Sequence, residues 1–149
     1  MFRSILLPTD GSPLSTRAAK YAVRLAATTG ARITALHVIA FFEPPNYFDG
    51  MAVYPELFSP KEYKRTTEAQ AQAMLAKVKK LADAASDRCE VMTLNARSPS
   101  EGIIKAAKSK GCDGIVMASH GRRGLQAVLL GSETTKVLTH SKIPVLVCR

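Results

Sequence analysis

The residues whose types and spacing point to chemistry are Val116-Met117-Ala118-Ser119-His120-Gly121-Arg122-Arg123-Gly124, with Leu129-Leu130-Gly131-Ser132 close behind. They read as a buried strand ending in a glycine loop, then a glycine placed where a helix begins. Such a loop exposes backbone N–H groups, and a helix N-terminus adds further donors and a partial positive charge. Together they make a ready phosphate site. A second strand end, Pro8-Thr9-Asp10-Gly11-Ser12, offers a carboxylate able to accept from ribose hydroxyls or to hold a metal ion. If the two strands are neighbours where the winding of an open α/β sheet reverses, both loops face the crevice in which such sheets bind ligands.

Each element also has an ordinary structural use. Asp-Gly-Ser after a strand is common turn chemistry. Gly121 and Gly124 can serve positive φ angles, and Ser132 can cap its helix. His120 suits a loop hydrogen bond, His37 falls in a strand and His140 near a helix end, so the three histidines form no metal cluster. Other chemistries fail on spacing. There is no G-x-x-x-x-G-K-[ST] and no G-x-G-x-x-G, and Ser119 does not sit in a G-x-S-x-G elbow. Nor is a carboxylate pair placed for acid–base work.

The elements that must position these residues alternate strand and helix. Phe2–Pro8 is a short apolar run suited to a strand buried on both faces. Ser12-Pro13 marks a helix start, and the helix runs from Leu14 to Thr29 with Gly30 closing it. Arg32–Ile39 is a second strand. Ala40–Ser59, with Pro44, Pro45, Asn46, Gly50 and Pro55, reads as a long irregular loop of the kind that covers a site or stays mobile,. Ser59-Pro60-Lys61-Glu62 combines the Ser-Pro start with a capping box and opens a helix to about Ala85. Glu90–Ala96 is the third strand. Ser98-Pro99 starts a helix that Gly111 ends, Gly114–Ala118 is the fourth strand, Gly131-Ser132 begins the last helix, and Ile143–Val147 gives the fifth strand. The expectation is one α/β domain over residues 1–149, an open five-stranded parallel sheet sandwiched by helices.

Composition agrees with a cytoplasmic globular chain of 149 residues, 46% hydrophobic and 22% charged,. Its apolar runs are too short to cross a bilayer, and the N-terminus lacks the features of a signal peptide. Cys89, Cys112 and Cys148 are odd in number, widely spaced and without a C-x-x-C pair. They read as packing residues in or beside strands in a reducing compartment. The net charge of +9 favours anionic partners. The bases are nevertheless spread along the chain without interleaved aromatics, which suits a solvated surface better than a nucleic-acid groove.

Over its whole length the sequence resembles the universal stress protein family. The resemblance rests on Ile5-Leu6-Leu7-Pro8-Thr9-Asp10-Gly11-Ser12, on Ala35-Leu36-His37-Val38, and on the stretch from Ile115 to Val147. The family's nucleotide-binding branch carries G-x2-G-x9-G-[ST] after the fourth strand. That frame falls here on Ala118, Gly121, Gly131 and Ser132, with alanine in place of the first glycine. The resemblance implies an adenine-nucleotide α-hydrolase-like, Rossmann-type fold that binds ATP with Mg²⁺. Pro8, Thr9 and Asp10 would line the ribose and adenine side, and Val38 would contact adenine through its backbone. Met117, Ala118, Gly121, Arg122, Gly131, Ser132, Glu133 and Thr134 would surround the phosphates, with the Glu133 side chain turned outward or helping to hold Mg²⁺. It further implies a homodimer paired through Val145-Leu146-Val147, acting as a stress-response sensor or accessory factor for a protein partner. No residue is positioned as general base or nucleophile, which leaves at most slow ATP hydrolysis or autophosphorylation, with Asp10 and Ser132 as the residues to test. The alternative is a relative that has lost nucleotide affinity, marked by Ala118, and works through protein contacts.

Overall fold

The computed structural model describes residues 1–41, 60–85, 88–121 and 130–149. Five strands and four helices follow one another as β1 (Ser4–Pro8), α1 (Pro13–Thr29), β2 (Arg32–Ala40), α2 (Pro60–Asp83), β3 (Cys89–Ala96), α3 (Pro99–Ser109), β4 (Gly114–Ala118), α4 (Ser132–His140) and β5 (Val145–Cys148). The sheet is parallel throughout, in the order β3-β2-β1-β4-β5. The chain winds outward from β1 through β2 to β3, then crosses back to lay β4 on the other side of β1. The winding therefore reverses between β1 and β4, the adjacency on which the sequence argument depended.

Alternation along the central strands divides the core into two layers. Ile5, Leu7, Ile33, Ala35, Val116 and Ala118 point to one face, where α1 and α2 cover them through Ala18, Ala22, Ala71, Leu75 and Val78. Leu6, Leu36, Ile115 and Met117 point to the other, under Ile103, Ala106 and Ala107 of α3 and Val137 of α4. The three cysteines are free and buried, as packing residues in or beside strands should be.

Element boundaries shift by a few residues for identifiable reasons. β1 begins at Ser4 rather than Phe2, because the Arg3 N–H donates to the Asp113 carboxylate at 2.9 Å instead of joining a ladder. β5 begins at Val145 rather than Ile143, since the Ile143 N–H is taken by Ser141 Oγ at 3.0 Å and Pro144 has no N–H to give. The expected loop at Ala40–Ser59 lies, from residue 42 on, outside the described residues. No described helix is long and apolar enough to cross a membrane.

Candidate functional site

At the carboxyl end of β1 the chain is held by short-range bonds. The Thr9 N–H donates to Leu36 O at 2.8 Å, and the His37 ring donates from Nδ1 to Thr9 O at 2.7 Å. Thr9 Oγ1 lies 3.2 Å from Ser15 Oγ and accepts from the Gly11 N–H at 3.2 Å. Gly11 takes φ 75°, a left-handed conformation that a side chain would resist,. This tight turn lets Asp10 Oδ1 accept from the Ser12 N–H at 3.0 Å, which sets the direction of the carboxylate. Ser12 then caps α1 by accepting from the Ser15 N–H at 3.1 Å.

The end of β4 is fixed in a similar way. The Ser119 N–H donates to Cys148 O at 2.8 Å, and the Gly131 N–H returns to Ser119 O at 2.7 Å. Thr134 Oγ1 donates to Ala118 O at 3.1 Å. Ser119 is buried, with Oγ 3.2 Å from His120 Nδ1. These bonds bring the start of α4 directly against the end of the strand.

Two close approaches explain the glycines. A β-carbon on Gly121 would stand 2.7 Å from Oδ2 of Asp10, so the loops after β1 and β4 do face each other. A β-carbon on Gly131 would stand 3.0 Å from His120 Cβ and 3.1 Å from His120 Cα. Neither glycine is among those with positive φ. Both are required by proximity rather than by backbone conformation, which rules out the ordinary alternative that Gly121 serves a positive φ angle. Ala118 is the last residue of the extended strand β4, and its methyl group belongs to the core layer under α1. Alanine there carries no glycine-only strain.

The start of α4 differs from those of its neighbours. Its N-cap is Gly131, and no side chain caps it. Ser132 is therefore the first helical residue rather than the cap. Its N-terminal amides keep the donor capacity and partial positive charge that suit an anion. Glu133 would repel such an anion, but its carboxylate is turned away. Oε2 accepts from the Ser100 N–H at 2.8 Å and Oε1 from Lys136 Nζ at 2.7 Å. Partial burial alone would raise the Glu133 pKa, yet the hydrogen bonds from Lys136 and Ser100 outweigh it and hold the carboxyl below its usual range.

The structure thus gathers Pro8, Thr9, Asp10, Ala118, Gly121, Gly131, Ser132 and Thr134 at one sheet edge. Arg122 lies outside the described residues. The Met117 side chain enters the core under α3, and the Val38 side chain packs beside it, which leaves both positions only their backbone for a ligand. Glu133 offers its N–H and not its carboxylate. The sequence reading missed the bracing partners His37, Ser15 and Ser100. The histidine within β2 was visible, but nothing local tied it to Thr9. Among the described residues no three His, Cys, Asp or Glu side chains group as a metal site.

A model of the universal stress protein family matches residues 1–149. The chain is 32% identical to universal stress protein MJ0531 of Methanocaldococcus jannaschii over 149 residues, covering 100% of this chain and 83% of that one. Among solved structures, that of protein MJ0577 superposes with a TM-score of 0.81 at 28% identity, over 99% of this chain and 96% of that chain. MJ0577 is a universal stress protein of the same archaeon. A universal stress protein solved in complex with cAMP superposes with a TM-score of 0.71 at 25% identity, over 99% of this chain and 97% of the other.

Proposed function

Since this chain belongs to the universal stress protein family, we propose that it binds ATP across the crevice between the ends of β1 and β4. The observation that carries this reading is the start of α4, where Gly131 leaves the helix without a side-chain cap opposite the Asp10 carboxylate. The amides of Ser132, Glu133 and Thr134 would receive phosphate oxygens. Gly121 and Gly131 keep the space a phosphate chain needs, and Arg122 would add charge. On the other side of the crevice Asp10 would accept from ribose hydroxyls, beside Pro8 and Thr9, while the Val38 backbone meets the base. The relative crystallised with cAMP supports an adenine nucleotide as the ligand class. Mg²⁺ would arrive with the nucleotide, where it neutralises phosphate charge, and Asp10 is the carboxylate within reach of it.

In this reading the protein is a nucleotide-dependent sensor or accessory factor in a stress response, acting in the cytoplasm on a protein partner. Among the described residues no side chain at the crevice is arranged as a base for water, and at most slow hydrolysis is proposed. β5 is an edge strand with Leu146 exposed, and pairing with a second copy would cover that edge. The non-binding alternative rested on Ala118, whose extended backbone carries no strain. Isothermal titration with ATP and Mg²⁺ tests the proposal. Saturable binding near one nucleotide per chain is expected, and no heat together with no thermal stabilisation at millimolar ATP would refute it.

A further inference from the structure

At the opposite, amino edge of the sheet lies a cavity of about 520 Å³ lined by Arg3, Gly30, Arg32, Ile33, Arg88 and Glu90 among others. Nothing in the crevice reading uses it. We infer that this arginine cleft is a second anion site, one that takes a compact phosphorylated molecule carrying two or more phosphate charges.

The three arginines stand at the starts of three adjacent strands. The Arg32 N–H donates to Arg3 O at 3.1 Å, and the Ile33 N–H donates to Arg88 O at 2.8 Å, which locks their backbones side by side. All three line the same cleft, so a short polyphosphate seated there would meet more than one of them. Two are oriented in advance. Arg32 Nε donates to Ser4 Oγ at 3.2 Å, which leaves its terminal nitrogens for a ligand. Arg88 Nη1 donates to Gly30 O at 3.0 Å, which leaves Nη2 and Nε. Guanidinium forks suit phosphate oxygens in pairs.

Glu90 and Asp113 lie close enough to feel the charge of Arg32 and Arg3 and offset part of it, but both carboxylates have other partners. Among the described residues none of the three arginines forms an ion pair with a carboxylate; the four ion pairs there all use lysine. Glu90 faces the cleft but is held by Lys110 at 3.1 Å and by Thr34 Oγ1 at 3.0 Å. Asp113 is occupied by the N–H groups of Arg3 and Ser4. Lys79, which reaches Cys89 O, is paired with Asp83. Asp87 lies outside the described residues. The cleft is shallow and open to solvent, which suits a charged ligand that keeps part of its hydration.

The test uses the full chain and inorganic tripolyphosphate as probe, titrated calorimetrically into protein saturated with ATP and Mg²⁺ and into protein without nucleotide. Saturable binding under both conditions is expected. In the ATP-saturated protein, whose crevice is filled, the double variant Arg3→Gln/Arg32→Gln should weaken it at least tenfold. Arg3 bonds only through its backbone, so Arg3→Gln alone keeps the fold and should still cost several-fold in affinity if the double variant is unstable. Arg88 is left in place because it holds Gly30 O. Absence of binding at millimolar tripolyphosphate, or equal affinity in the arginine variants, overturns the inference and leaves the arginines to answer helix C-terminal carbonyls such as Gly30 O. Tripolyphosphate binding seen only without nucleotide would instead assign the anion to the crevice and overturn the inference.

Discussion

Helices α3 and α4 lie side by side on one face of the sheet, and their first turns are treated in opposite ways. α3 begins with Ser98, whose Oγ accepts from the Glu101 N–H at 3.3 Å, with Pro99 at the first helical position. Its next amide, at Ser100, is met by the Glu133 carboxylate at 2.8 Å. The chain therefore supplies α3 with both a neutral cap and a permanent anion. α4 has neither, because Gly131 has no side chain and the one acid in its first turn is lent to α3. Among the described residues one helix terminus is thus satisfied twice and the adjacent one has no side-chain cap, the contrast on which the proposed phosphate site rests. In the proposed reading Glu133 also explains why an external anion would go to α4 alone, since its carboxylate already meets the first turn of α3.

Breaking the contrast at α4 should give the largest effect. Gly131→Asp places a carboxylate on the same amides and adds charge repulsion, so ATP affinity is expected to fall about 100-fold, roughly 2.7 kcal/mol. Stability should change little, since the gain from a cap of about 1 kcal/mol is opposed by crowding against His120. Titration calorimetry paired with urea unfolding separates the two quantities.

A smaller effect follows from removing the internal anion of α3. Glu133→Gln keeps an acceptor for the Ser100 N–H but loses the charge, and should lower stability near neutral pH by about 0.5 kcal/mol, the side chain being partly exposed. The sign of the pH dependence is fixed by the lowered pKa. The native carboxylate binds its proton less readily than the unfolded one. Its contribution is thus present above the unfolded value of about 4.3 and fades as pH falls through the native value. Urea unfolding at successive pH values should show the gap between wild type and variant closing on acidification. ATP affinity should stay within about threefold, because the carboxylate faces away from the crevice. A larger loss would return the Glu133 side chain to the site.

Much of this was legible in the sequence for a local reason. Ser12-Pro13 and Ser98-Pro99 encode helix starts within a few residues, the buried runs at Ile5–Leu7 and Ile115–Ala118 encode central parallel strands, and the two glycines ten positions apart, Gly121 and Gly131, encode the crevice. What escaped depended on residues far apart in the chain. Glu133 meets an amide 33 positions earlier, and His37 holds Thr9 across 28 positions. Gly121 is small because Asp10 lies against it, a fact of packing that no local pattern records. The arginines at the sheet's amino edge belong to three separate strand starts, and in sequence they look like scattered surface charge.

Backbone amide NMR during an ATP titration in the presence of Mg²⁺ tests the central claim most directly, because it reads both helix termini in one sample. The resonances of Ser132, Glu133 and Thr134 should shift strongly and saturate with the nucleotide, while those of Ser100 and Glu101 hold nearly still. Shifts confined to α3, or an unmoved α4 at saturating ATP, would contradict the assignment of the bare helix end to the phosphates.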